Sequence, residues 1–108
     1  MCETGCSLTV DAAVENCAKQ IRQTAGVYQS DGNLIAAKRR VDLALSALAK
    51  LSRKQPDLQI INLGQLRLSL ESHFNTCSDI RWLTVIKYAR AKVSSRRAEI
   101  VFKLKIEC

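Results

Sequence analysis

The stretch DIRWLTVIKYARAKVSSRRAEIVFKLKIE, residues 79–107, decides whether the second half of this chain is sheet or helix. In its last ten residues Ala98, Ile100, Phe102, Leu104 and Ile106 alternate with Glu99, Lys103, Lys105 and Glu107, and only Val101 breaks the rhythm. A period of two puts apolar side chains on one face of a strand and charges on the other. Further back, Trp82, Thr84, Ile86 and Tyr88 alternate as well, and the β-branched run Thr84-Val85-Ile86 favours extended backbone. Ser94-Ser95-Arg96-Arg97 then reads as the turn between two strands. The opposing reading of residues 79–93 is a helix capped by Ser78, with Asp79 in its first turn and Lys87, Arg90 and Lys92 towards its end. The β-branched run tips the choice to a strand.

Towards the N-terminus the same rhythm recurs. Leu66, Leu68 and Leu70 alternate with Gln65, Arg67, Ser69 and Glu71, and Asn75-Thr76-Cys77-Ser78-Asp79 supplies a turn. Gln59-Ile60-Ile61-Asn62, before Gly64, adds a short further strand. Residues 58–107 are therefore expected to form an antiparallel β-meander with one wet face.

Before Pro56 the period changes to that of a helix. Leu34, Val41 and Leu48 share one heptad position and Ala37, Ala44 and Leu51 another, with Ile35 and Leu45 widening the stripe. This predicts a helix over residues 32–54, halted by the restriction proline places on its predecessor. Val10, Ala13, Val14, Cys17 and Ile21 predict an earlier helix over residues 10–25, with Thr9 as its cap and Gly26 as its stop. The short loop between them makes an antiparallel hairpin. The expected fold is α+β: this hairpin packed on the meander, a single domain spanning residues 1–108, with residues 1–8 as a flexible tail. The alternative is a mainly helical chain in which residues 79–93 are helical.

The 108 residues carry 17 Lys+Arg against 10 Asp+Glu, a net charge of +7. The excess is not spread evenly. Residues 1–37 hold two bases and four acids, whereas residues 38–108 hold fifteen bases and six acids. Arg81, Lys87, Arg90, Lys92, Arg96 and Arg97 follow one another with no acid between Asp79 and Glu99, and Lys38-Arg39-Arg40 forms a second cluster. Lys50, Arg53 and Lys54 form a third. Asymmetry of this kind points to a polyanionic partner, and nucleic acid bound through its backbone is the expected one. On a strand, Arg90 and Lys92 would share a face with Trp82 and Tyr88, an aromatic platform beside cations. A solvated basic surface that only keeps the chain dispersed would give the same charge count.

The second functional class is an interaction or assembly module. Leu34, Val41, Leu45 and Leu48 are its candidate oligomer contacts, and a homodimer through this stripe is the natural assembly for so short a chain. Catalysis is not expected. The only histidine is His73, no glycine-rich phosphate loop is present, and no closely spaced acidic pair occurs. No cofactor or small-molecule substrate is expected either. The cysteines at 2, 6, 17, 77 and 108 are odd in number and irregular in spacing, which argues against a disulfide framework and for a reducing, intracellular setting. Cys2, Cys6, His73 and Cys77 together have the composition of a structural zinc site, but their pairs are far apart in sequence and no metal is expected. Cys17 falls on the apolar stripe of the first helix and is read as a core residue. No apolar run reaches the ~18 residues of a membrane span, and the first ten residues lack the pattern of a secretory signal. In general character the chain is similar in kind to small regulatory or accessory proteins of viruses and phages, with no motif behind that likeness.

Overall fold

A computed structural model describes the backbone of residues 2–74 and 79–107, and the side chains of residues 12–72 and 79–106. Four helices follow one another: α1 (Cys2–Asp31), α2 (Leu34–Leu51), α3 (Pro56–Phe74) and α4 (Ile80–Glu107). No strand occurs among the described residues. The α+β expectation is therefore overturned, and with it the meander over residues 58–107.

The reason lies in which residues are buried. In α3 the inward side chains are Asn62, Leu63, Leu66 and Leu70, spaced by one, three and four. Leu68, between two buried leucines, is 69% exposed. Positions i and i+4 satisfy both a period of two and a helical repeat, so Leu66 and Leu70 fit either. The residue midway between them distinguishes the two, and it points outward. In α4 the buried stripe is Val85, Ile86, Ala89 and Val93. Phe102 and Ile106, read as core positions of a last strand, are 63% and 65% exposed. Ser94 to Arg97 lie inside the helix and not in a turn. The helix alternative for residues 79–93 understated the case, because α4 continues to Glu107.

The helix ends follow from local chemistry. Gly26 does not stop α1. That role falls to Gly32, whose φ of +66° is a left-handed conformation suited to glycine, and whose amide donates to Tyr28 O at 2.9 Å. Asn33 then caps α2, its Oδ1 accepting from the Ala36 amide at 3.1 Å. Two residues thus reverse the chain. At the other end of α2 the Ser52 amide donates to Ala49 O, and Pro56 opens α3, where its missing N–H is no loss. Asp79 caps α4. Its Oδ1 accepts from the amides of Arg81 at 2.9 Å and Trp82 at 3.2 Å.

α1 and α4 each pack against all three other helices. Cys17 Sγ donates to Ala44 O at 3.5 Å, which sets α1 beside α2 in the antiparallel sense that the tight turn requires. Tyr88 meets Asp42, and Arg96 to Lys103 run beside Leu45 to Ser52, so α2 and α4 are parallel. α3 runs antiparallel to α4, with Arg67 and Glu71 beside Lys87 and Arg90. The seam joining all four helices is a single cluster of Val14, Cys17, Ile21, Val41, Leu45, Leu66, Leu70, Ile86, Val93 and their buried neighbours.

Candidate nucleic-acid interface

The helical repeat of 100° per residue sorts the bases of α4. With Val85, Ile86, Ala89 and Val93 facing the core, the opposite line carries Ala91, Ser95, Ala98 and Phe102, all exposed. Lys92, Arg96 and Lys103 stand on the flank towards α2. Lys87, Arg90 and Arg97 stand on the flank towards α3. A ridge that is small from Ala91 to Ala98 and ends on Phe102 thus runs between two rows of cations.

The α2 flank is ordered around Tyr88. Lys38 Nζ, from α2, lies 5.3 Å from the ring centroid, and Lys92 Nζ lies 5.8 Å from it. Both distances suit cation–π attraction. The Tyr88 hydroxyl donates to Asp42, 3.0 Å from Oδ1 and 3.1 Å from Oδ2, which fixes the ring across the seam. Loss of solvent around the phenol, together with the hydrogen bond and charge of Asp42, raises the Tyr88 pKa above its ordinary value. The α3 flank is different in kind. Lys87, Arg90, Ala91 and Ser94 surround an open depression of about 420 Å³ with Arg67 and Glu71 of α3. Arg67 Nε pairs with Glu71 Oε1 at 3.3 Å, one helical turn apart.

Other sequence-predicted residues have different places. Arg81 is part of the scaffold. Its Nη1 donates to Gln29 O at 3.0 Å and its guanidinium lies 5.9 Å from the Tyr28 ring centroid, so its charge sits at the negative end of α1. Arg39 and Arg40 are exposed on α2, and Arg40 lines a groove of about 860 Å³ between α1 and α2. The expected aromatic platform does not form. Trp82 packs against the core with its Nε1 buried and unpartnered, and the helix puts Arg90 on the flank away from Tyr88. Of the candidate oligomer contacts, Val41, Leu45 and Leu48 are buried within the chain and Leu34 is half-buried. The exposed apolar residues of α2 are instead Ile35, Leu43 and Leu51.

Sequence reasoning missed Arg67 and Lys103 as members of this surface. Arg67-x3-Glu71, a charge pair at helical spacing, was the available signal for Arg67. Lys103 was assigned to the wet face of a strand, where its neighbours would have been different.

Cys17 is buried in the core, and that burial pushes its thiol up to about 11. The set Cys2, Cys6, His73 and Cys77, which has the composition of a zinc site, lies outside the residues whose side chains are described. Among those residues, no group of three or more His, Cys, Asp or Glu side chains is placed to hold a metal ion. No helix among the described residues is long and apolar enough to cross a membrane. Comparison with models of known protein families, with curated proteins and with solved structures gives no match.

Proposed function

We propose that this protein binds nucleic acid without catalysing a reaction on it, in a regulatory or accessory role, and that α4 is the element that meets the phosphate backbone. The observation that carries the reading is the pair of basic flanks, Lys92, Arg96 and Lys103 on one side and Lys87, Arg90 and Arg97 on the other, about an exposed Ala/Ser ridge. A helix is about 10–12 Å across with its side chains, close to the ~12 Å width of a duplex major groove. Small residues from Ala91 to Ala98 permit close approach, and bases on both flanks can face phosphates of both strands. Lys38, held beside Lys92 by Tyr88, extends the α2 flank. Ala and Ser offer little to a base edge, so the contact is with the backbone and depends on shape and charge.

Binding to mixed-sequence duplex and single-stranded DNA and RNA, measured by fluorescence anisotropy at two salt concentrations, tests this. Duplex should be retained at low salt and released steeply as salt rises. Reversing Lys87, Lys92, Arg96 and Arg97 to Glu should abolish retention while circular dichroism remains helical. Absence of retention on any of the four ligands at low salt rejects the proposal.

A second reading, assembly, is favoured by one observation. Leu43 is 63% and Leu51 69% exposed about two turns apart on α2, and Val27 of α1 is 41% exposed across the open groove from Leu43. A homodimer through this face would leave α4 free. Sedimentation of the wild-type chain and of Leu43→Asp tests it; a monomer at all concentrations removes the reading.

A further inference from the structure

A cavity of about 180 Å³ lies where α2, α3 and α4 converge, separate from the outer ridge of α4. Leu45, Leu48, Leu63 and Ile100 give it an apolar wall. Two polar side chains interrupt that wall. Ser52 is 3% exposed and Asn62 4%, yet neither Ser52 Oγ nor Asn62 Oδ1 has a hydrogen-bond partner. Buried polar atoms are almost always paired, and two orphans that line one cavity, one at the end of α2 and one within α3, call for a common explanation. A hydroxyl supplies it, since one such group donates to Asn62 Oδ1 while accepting from the Ser52 hydroxyl. The remaining polar lining includes Arg96 and Lys103 against a single acid, Glu99, which favours an anion.

We infer that this cavity binds a small amphipathic hydroxycarboxylate, its hydroxyl between Ser52 and Asn62, its carboxylate near Lys103 and its short alkyl body against the leucines. The size follows from the volume, which is well below the ~300 Å³ at which drug-sized ligand sites begin. It is about six times the ~30 Å³ that one water occupies in the liquid. A chain of four to six carbons is the matching class. The cavity shares Arg96 and Lys103 with the α2 flank of the proposed nucleic-acid contact, whereas Ser52 and Asn62 lie outside that flank, so variants at these two residues test this inference alone.

The test is calorimetric titration of the full chain with 3-hydroxyhexanoate, with hexanoate and with 1,3-hexanediol as comparison probes. The hydroxy acid should bind, and removal of either the hydroxyl or the carboxylate should weaken binding by about tenfold or more. Asn62→Leu should abolish it by filling the cavity and deleting the acceptor, and Ser52→Ala should weaken it about tenfold with the fold preserved. Thermal unfolding of both variants checks that folding is retained. The ligand's effect on the unfolding temperature gives a second readout on whichever variant folds. No binding of the hydroxy acid at millimolar concentration overturns the inference and leaves ordered water as the partner of both orphans. Equal binding of hexanoate, or undiminished binding to Asn62→Leu, overturns it as well.

Discussion

The inward and outward faces of α4 contrast in how they are held. Inward, Val85, Ile86, Ala89 and Val93 are at most 1% exposed and touch α1 and α3, with almost no polar atom among them. Outward, the ridge of Ala91, Ser95 and Ala98 buries nothing, and the flanking cations are placed by partners of quite different strength. On the α2 flank, Tyr88 and Asp42 give Lys38 and Lys92 a fixed seat. On the α3 flank, the bases surround an open depression. One helix thus combines a face that determines stability with a face that is free to be chosen for charge. Changes on the two should have separable effects.

The largest expected effect is on the inner face. Ile86→Ala should destabilise by about 2–5 kcal/mol, since it opens a cavity in a fully buried site. Ala98→Gln on the ridge should stay within about 0.5 kcal/mol. Urea denaturation of the two variants measures both, and comparable losses would break the contrast. Next is the division of charge between the flanks. If each flank faces its own phosphate strand, Lys92→Gln with Arg96→Gln should lower the slope of log affinity against log salt by about two, and Lys87→Gln with Arg97→Gln by a similar amount. A change confined to one pair would show that a single flank carries the contact.

The same contrast explains how much of this molecule was legible in its sequence. The α2 stripe could be read because Ala37, Val41, Ala44, Leu45 and Leu48 cover one face at helical spacing, and the exposed Ile35 and Leu43 complete no period of two. Ile35, read as part of that stripe, lies outside it at 78% exposure. In α3 and α4 the outer faces carry Leu68, Phe102 and Ile106, and these exposed apolar residues completed a false period of two. Their outward position breaks the usual coupling between hydrophobicity and burial on which pattern reading rests. A stronger signal was present in what is missing. From Gln65 to Cys108 there is no glycine and no proline, whereas a meander over that length needs several tight turns, which those residues normally supply. The six bases of Arg81 to Arg97 were legible as a cluster, but their division into two flanks was not, because it depends on the helical repeat. Arg81 left the group for a reason no local pattern records: its partner, Gln29 O, is fifty-two residues away.

Titratable groups extend the contrast between dry and wet positions. Cys17 faces inward on α1, and burial raises its thiol from 9.0 to about 11. A group whose folded pKa is raised contributes stability that is fully present below the unfolded value and is lost as pH rises towards the folded one. Stability should therefore fall between pH 9 and about 11 through this thiol. Cys17→Ala should remove that part of the alkaline decline. Thiol-reactive probes at neutral pH should label Cys17 only on unfolding, because the protonated, buried thiol is a poor nucleophile.

The smallest effect belongs to an exposed acid, and its sign is opposite. Asp79 stands at the start of α4, where the Trp82 amide foremost, then Gln29 and the Arg81 amide and charge, hold its carboxyl below the ordinary value of 3.8 despite some desolvation. A depressed folded pKa contributes stability above the unfolded value, and that contribution is lost as pH falls through the folded one. The loss therefore begins near pH 4 and is complete only in stronger acid. Asp79→Ala should lower stability at neutral pH, as loss of an N-cap does, and should flatten the acid limb of the stability curve. Asp79→Asn keeps an oxygen for the same two amides while removing the charge. It should retain most of the neutral-pH stability yet lose the acid dependence. Urea midpoints at pH 3 and pH 7 for the three chains separate the hydrogen bond from the charge. Equal losses in Asp79→Asn and Asp79→Ala would mean that charge at the helix start, and not the cap itself, holds the first turn of α4.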